Sequence, residues 1–248
     1  MIVPFTIFIY GLILGSFYNV VGVRVPIGKS IVFPPSTCSQ CGSRLAAIDL
    51  IPIVSYILVK GRCRKCSKEI SPLYLIIELL TPLLFLYSYY IFGWTISFLS
   101  AVLLISLFSI LIVSDVIYML IPNRILLVFF LFFFLVRLVD PLETWWNSLT
   151  AAAIGFSLLL SIAVISKGGM GGGDIKLFAL LGFVLGSKLV LLSFFLSCFL
   201  VAVISLILLY FGIIKKGKPI PFAPFVSLGT LITYFQGEVL VDWYLSLF

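Results

Sequence analysis

Two aspartates in otherwise apolar surroundings are the side chains of this sequence best suited to chemistry. Asp115 follows a long apolar run, and Asp174 follows a glycine-rich segment. Two neighbouring carboxylates can share one proton, so that the ionised member takes a proton from water while the neutral member donates to a carbonyl oxygen. Because acidic side chains inside membrane helices are costly and usually functional, we expect Asp115 and Asp174 to form such a pair.

Each acid also has a structural explanation that the sequence leaves open. Asp115 alone fits an interfacial carboxylate paired with a basic residue, and Asp174 alone fits a helix N-cap in a glycine-rich turn. A third acid, Glu78, lies early in another apolar run and is explained more readily as structural than as catalytic. Residues 168–174 have almost no side-chain bulk, which would allow a peptide backbone to approach closely.

The sequence contains no histidine, and this excludes several kinds of site. Ser-His-Asp and Cys-His nucleophiles, His-ligated zinc and His-ligated haem all require an imidazole. Any catalysis must therefore depend on carboxylates, thiolates, lysine, tyrosine or the backbone.

Four cysteines form two C-x-x-C pairs within residues 24–71, the only long polar stretch. Cys38 and Cys41 are separated by 21 residues from Cys63 and Cys66. This spacing is close to that of zinc ribbons, in which two such turns direct four sulfurs at one tetrahedral Zn²⁺. Bound metal would supply most of the folding free energy of a stretch with so few apolar residues. We expect a structural zinc site, with free or redox thiols and disulfides as the alternatives.

The composition shows what kind of elements must position these residues. Apolar residues make up 62% of the 248 residues and charged residues 10%, against about 45–50% and about 25% in soluble domains. The apolar runs are continuous, not alternating as in a β-barrel. We therefore predict an all-α polytopic membrane protein with about eight transmembrane helices, in the runs 2–23, 72–92, 96–118, 125–139, 148–166, 177–187, 189–214 and 220–236.

The distribution of basic residues predicts the orientation of these helices. With the N-terminus outside, every Lys and Arg except Arg137 and Lys188 falls on the cytoplasmic side. Asp115 and Asp174 then lie at one depth near the inner face, and the cysteine insert lies in the cytosol, where disulfides rarely persist. The net charge of +7 follows from this topology, so we expect no nucleic-acid partner.

These expectations divide the chain into a first transmembrane helix, a cytoplasmic zinc-binding insert and a transmembrane core. The three parts cover residues 1–23, 24–71 and 72–248. The first helix has neither a leading positive charge nor a small-residue cleavage site, so we do not expect it to be a removable signal peptide.

Taken in order, the motifs resemble the bacterial type IV prepilin peptidases over nearly the whole length. The paired cysteines carry part of the resemblance, and the segment from Asp115 to Asn123 is similar to the family's D-x6-P-[ND] motif. The other matching segments are Gly15-Ser16-Phe17-Tyr18-Asn19-Val20-Val21, Gly171-Gly172-Gly173-Asp174 and Pro221-Phe222-Ala223-Pro224-Phe225. The chain departs from the family at Ala47-Ile48-Asp49-Leu50-Ile51-Pro52, where D-N-I-P is usual, and at Ala223, where glycine is usual.

The resemblance implies a membrane aspartic endopeptidase of the bacterial cytoplasmic membrane. Such enzymes remove the basic leader of prepilins and pseudopilins at the cytoplasmic face, and many then N-methylate the new N-terminal residue with S-adenosylmethionine. It assigns catalysis to Asp115 and Asp174, and it suggests that Lys176 helps to hold the substrate or the second aspartate. From the residues themselves we also expect substrate contacts at Glu78 and at the glycines of the G-x-G-D motif, Gly171 and Gly173.

Other functions stay open at this point. The sequence shows no nucleotide-binding fingerprint, so a peptidase without methyltransferase activity is the first alternative. A transporter or proton relay would place acids near the midplane of the membrane and favour inverted repeats, and a non-catalytic scaffold would leave both aspartates unexplained. The oligomeric state, the cofactor cleft, and the machine served (a pilus, a secretion system or a DNA-uptake filament) do not follow from the sequence.

Overall fold

The computed structural model describes residues 2–38, 40–142, 144–166, 169–213 and 220–247. These residues form nine α-helices and two short 3-10 helices, at Val25–Ile27 and Ala47–Leu50, and they contain no β-strand. The predicted all-α class is confirmed. The α-helices are α1 Ile2–Arg24, α2 Val54–Leu58, α3 Pro72–Phe92, α4 Ile96–Tyr118, α5 Asn123–Val139, α6 Trp145–Ile165, α7 Gly172–Leu185, α8 Ser187–Tyr210 and α9 Ala223–Leu245.

Five helices in the described part of the chain are long and apolar enough to cross a membrane, as expected for a multi-pass membrane protein. They cover Ile2–Ile27, Pro72–Phe92, Ile96–Tyr118, Trp146–Ile165 and Ser187–Tyr210. Three further helices, α5, α7 and α9, occupy the remaining predicted runs, but α5 and α7 have only 17 and 14 residues. The prediction of eight spans is therefore not confirmed.

The predicted limits of two helices differ from those observed. The seventh helix begins at Gly172 and not near residue 177, and the ninth helix continues to Leu245 instead of ending near residue 236. In both cases the apolar run was interrupted by glycine or charged residues that the helix nevertheless includes. Gly168 of the glycine-rich segment and the basic residues Lys167, Lys215, Lys216 and Lys218 lie outside the described residues.

The chain separates into two compact units, Met1–Tyr118 and Met119–Phe248. This division differs from the one that the sequence predicts at residues 71 and 72, which stays a prediction. The first unit contains the cysteine insert and Asp115, and the second contains Asp174.

In the first unit, glycines let α1 pack closely against α3 and α4. A Cβ atom added at Gly15 would lie 3.2 Å from the Glu78 Cα, and one added at Gly22 would lie 2.7 Å from the Val113 Cβ. A buried hydrogen bond of 2.7 Å also joins the Tyr18 hydroxyl to Ser106. Small residues and interhelical hydrogen bonds are typical of helix packing in membranes.

In the second unit, α7 is the most deeply packed helix. Its residues Leu177, Phe178 and Leu181 are completely buried. Gly182 packs against the backbone of Ala151 in α6, where a Cβ atom would not fit. Because α7 is fixed along its length by this packing, its first turn, which carries Asp174, has a defined position within the unit.

Candidate functional site

Asp115 lies in the last turn of α4, on the buried side of that helix. The residue is only 7% exposed, and its neighbours Val113 and Ser114 are fully buried. The helix ends at Tyr118, and Met119 then adopts a left-handed backbone conformation with φ of 53°. The buried part of α4 therefore ends at the predicted acid, and the helix itself ends three residues later.

Asp174 lies in the first turn of α7 and is half-buried. The N-cap position of this helix is occupied by Gly171, which contradicts the alternative that Asp174 is itself the N-cap. An acid in the first turn is favoured there because the positive end of the helix dipole stabilises its charge.

The two glycines of the G-x-G-D motif lie at close contacts, and the contact at Gly173 is the tighter one. A Cβ atom on Gly171 would lie 3.0 Å from the Asp174 Oδ2, and one on Gly173 would lie 2.7 Å from the Ile121 Cβ. The intervening Gly172 faces open space, with nothing within 4 Å of such an atom. The spacing of the motif therefore matches the local packing around Asp174.

Lys176 and Asn123 form a contact that the sequence did not predict. The Lys176 Nζ donates to the Asn123 Oδ1 at 3.0 Å, and both residues are exposed. Asn123 is the first residue of α5. The only sequence signal for this contact was the position of Asn123 at the end of the D-x6-P-N motif, and that motif does not predict which residue Asn123 contacts.

Glu78 makes a structural contact between α3 and the cysteine insert. Its Oε2 accepts a hydrogen bond of 2.8 Å from the backbone N–H of Ile53. The bond satisfies the backbone N–H of Ile53, which has a φ of 62° and lies just before α2. The contact fits the structural explanation of Glu78, while substrate binding by Glu78, Lys176, Gly171 and Gly173 stays a prediction, as does the catalytic pairing of the two aspartates.

The four predicted cysteines converge on one point. Their Sγ atoms all lie within 4.8 Å of one another, and the Cys38 and Cys66 sulfurs are 3.9 Å apart. A tetrahedral zinc with Zn–S bonds of about 2.3 Å separates its sulfurs by about 3.8 Å. All four cysteines are free thiols, so the cluster has the ligand chemistry and the size to hold a metal ion.

The two C-x-x-C turns have the same backbone construction. In each, the first cysteine donates its N–H to the carbonyl five residues later, Cys38 to Ser43 and Cys63 to Lys68, both at 2.9 Å. The residue four positions after that cysteine, Gly42 in one turn and Ser67 in the other, has a left-handed backbone and donates to the cysteine carbonyl. This repeated geometry aims both pairs of sulfurs at a common centre.

Local hydrogen bonds shift the pKa values of the thiols in opposite directions. The Ser43 side chain, with its oxygen 3.0 Å from the Cys41 Sγ, lowers the pKa of Cys41 to about 6, with help from the Ser43 backbone. The backbone of Cys66 and Lys65 lowers the pKa of Cys63. A hydrogen bond with the Lys68 backbone lowers the pKa of Cys66, but burial and the other three thiols outweigh it and raise that pKa to about 11. A bound cation would stabilise the thiolate form of sulfurs that lie this close together.

The segment that departs from the family's usual sequence contributes to this cluster through Asp49. The Asp49 Oδ1 lies 2.7 Å from the Nε of Arg64, which belongs to the second C-x-x-C turn. The Asp49 Oδ2 accepts the backbone N–H of Ala46 at 3.2 Å. Asp49 therefore joins the stretch before the second C-x-x-C turn to that turn, which supports the fold of the insert.

Two known protein families match the sequence of this chain. Residues 9–92 match the Bacterial Peptidase A24 N-terminal domain, which includes the four cysteines. Residues 102–206 match the Type IV leader peptidase family, which includes both aspartates. No solved structure matches the chain.

Similar proteins cover almost the whole chain. A Bacillus subtilis protein named prepilin leader peptidase/N-methyltransferase is 43% identical, over 97% of each chain. Proteins of the same name from Aeromonas salmonicida and Pseudomonas aeruginosa are 30% and 29% identical, over 97% and 95% of this chain and 93% and 91% of their own. On this evidence the chain belongs to the type IV leader peptidase family.

Proposed function

We propose that this chain is a prepilin leader peptidase that also N-methylates its product. The observation that carries the proposal is the 43% identity, over 97% of each chain, to a protein with that name. The four-cysteine cluster and the multi-pass helical fold agree with it. A peptidase without methyltransferase activity is the alternative.

Hydrolysis is assigned to Asp115 and Asp174, which share one proton. The ionised carboxylate takes a proton from water, whose oxygen attacks the scissile carbonyl, while the neutral carboxyl donates its proton to the carbonyl oxygen. When the tetrahedral intermediate collapses, the carboxyl that took the proton from water gives it to the leaving nitrogen, the other carboxylate takes a hydroxyl proton from the intermediate, and the C–N bond breaks. The burial of Asp115 and the position of Asp174 among glycines support this assignment, because both suit a shielded carboxylate beside a peptide backbone.

The substrates are prepilins or pseudopilins, whose apolar helix can lie in the bilayer beside the enzyme. Their basic leader then remains in the cytosol, and the scissile bond falls at the inner interface. In this arrangement the N-terminus of the enzyme is outside, and the cysteine insert and both aspartates face the cytoplasm. Lys176, Glu78, Gly171 and Gly173 are the proposed substrate contacts.

The insert holds a structural Zn²⁺ through Cys38, Cys41, Cys63 and Cys66. All four ligands come from the protein, so the ion closes the fold of the insert and leaves no coordination position for a substrate. S-adenosylmethionine would supply the methyl group to the new N-terminal amine.

Co-expression with a pilin-like substrate tests the proposal. The wild-type chain should shorten the substrate on a gel, whereas Asp115→Asn and Asp174→Asn should not. Complete cleavage by either variant would contradict the two-aspartate mechanism. Mass spectrometry of the product distinguishes the two forms of the proposal, because an added methyl group indicates the bifunctional enzyme and an unmodified N-terminus indicates a peptidase alone.

A further inference from the structure

The segment around α2 presents a continuous row of exposed apolar side chains. They are between 45% and 64% exposed: Leu50 and Ile51 precede α2, and Val54, Ile57 and Leu58 lie on one side of α2, at the spacing of a helix face. The other side of the segment is packed, since the Tyr56 hydroxyl donates to the carbonyl of Ile70 at 3.3 Å. We call these five residues the α2 apolar face.

A hydrogen bond places the α2 apolar face beside a membrane-spanning helix. Ile53 precedes α2, and its N–H is bound by Glu78, six residues after the start of α3 at Pro72. At 1.5 Å per residue, this point lies about 9 Å along the helix. The segment therefore lies at the level of the membrane boundary and not far out in solvent.

The helix that carries Glu78, α3, and the helix packed against it, α1, are both candidate membrane spans. Gly15 of α1 packs against the Glu78 backbone, and α1 and α3 are each long and apolar enough to cross a bilayer. At the same level α3 exposes its own apolar side chains, Ile76, Leu79, Leu80 and Leu83. These side chains need lipid as their solvent, so the α2 apolar face is next to a surface already in contact with lipid.

The charges near α2 complement lipid headgroups. Lys60 and Arg62 follow α2, and both are exposed. Arg62 also lies 3.9 Å from Glu69 in an exposed ion pair. Long basic side chains at the end of an interfacial helix can extend to phosphates while their stems cover apolar surface. The whole insert, residues 24–71, has only Asp49 and Glu69 against its basic residues, Arg24, Lys29, Arg44, Lys60, Arg62, Arg64, Lys65 and Lys68.

We propose that α2 is an interfacial helix whose apolar face lies at the boundary between the acyl chains and the headgroups of the bilayer. It anchors the cysteine insert to the membrane surface, in the manner of amphipathic helices that lie in the plane of the interface. The proposal does not depend on the peptidase activity.

Photo-crosslinking in a bilayer tests the proposal. Benzoylphenylalanine replaces Ile57 on the α2 apolar face, or Lys65 on the exposed second C-x-x-C turn as a control. The full chain is placed in nanodiscs of phosphatidylethanolamine and phosphatidylglycerol and irradiated, and its intact mass is measured. Unchanged metal content in each variant shows that the insert is still folded.

The expected result is a mass increase of one phospholipid with the probe at position 57 and none at position 65. Absence of a lipid adduct at position 57 would overturn the proposal. An adduct with a second copy of the chain would show instead that the α2 apolar face is a protein interface. Equal lipid labelling at both positions would also overturn it, because contact with lipid would then not be specific to this face.

Discussion

The side-chain ammonium of Lys176 donates to the side-chain carbonyl of Asn123 at 3.0 Å. This bond joins the start of α5 to the start of α7 across 53 positions of the sequence. Asp174 lies two residues before Lys176, in the first turn of the same helix. The hydrogen bond therefore lies within the same helical turn as a candidate catalytic carboxylate, and its acceptor is the last residue of the D-x6-P-N motif.

Lys176→Met should slow prepilin cleavage by about tenfold, since one hydrogen bond to a charged group contributes about 1.5 kcal/mol at the low end of its range. Methionine keeps the apolar stem but removes the donor. If Lys176 positions Asp174, the loss should appear in kcat with KM nearly unchanged. Asn123→Asp is the conservative control, because it keeps an acceptor for the ammonium. A rise in KM alone would assign Lys176 to substrate binding instead.

Gly173→Ala should be much more damaging than Gly172→Ala. The new methyl group at position 173 would meet the Ile121 side chain at 2.7 Å, whereas at position 172 it would enter open space. Overpacking typically costs about 1–3 kcal/mol, while alanine in an unobstructed helical position is favoured over glycine by about 0.5–1 kcal/mol. Thermal unfolding in detergent and the rate of cleavage should both separate the two variants. Equal behaviour of the two would show that Ile121 moves away at little cost.

Cys38→Ser should remove the bound metal, and Cys198→Ser should not. Cys38 is one of the four converging ligands, whereas Cys198 lies in the middle of α8, away from the insert in the sequence. Elemental analysis of the purified proteins gives the zinc content per chain. Loss of zinc should also increase proteolysis of the insert, because binding of the metal is coupled to its folding. Full zinc content in Cys38→Ser would exclude the four-cysteine site.

Glu78→Gln and Glu78→Ala together distinguish the two roles of this residue. Glutamine can still accept the N–H of Ile53 but has no charge, so a contact with the basic leader predicts a higher KM for Glu78→Gln with normal thermal stability. The expected change is about fivefold, as for an exposed ion pair of about 1 kcal/mol. Glu78→Ala should lose stability in addition, because the Ile53 N–H is left without its partner. Unchanged kinetics in Glu78→Gln would leave only the structural role.

The class of protein and the kinds of site were predictable from the sequence for physical reasons. Hydropathy is a local property, so the long apolar runs were sufficient to identify a helical membrane protein. Helix limits were less predictable where polar residues continue a helix, as at the start of α7 and the end of α9. There the backbone hydrogen bonds of the helix persist through residues that a hydropathy window rejects.

The four-cysteine cluster also has features that could be predicted from the sequence and features that could not. The spacing of Cys38, Cys41, Cys63 and Cys66 predicted the ligand set, because each C-x-x-C turn is built by neighbouring residues. The ion pair of Asp49 with Arg64 could not be predicted, because the spacing of the cysteines does not say how the chain between the two turns folds back.

By itself, the sequence determined the membrane class and the family, and it predicted the two aspartates as a catalytic pair and the four cysteines as metal ligands, since all of these depend on residue type and short spacing. Only the tertiary structure decided that Gly173 must leave room for Ile121, that Lys176 binds Asn123, and that Glu78 holds the start of α2. Those contacts join residues far apart in the chain, and their geometry depends on how whole helices pack.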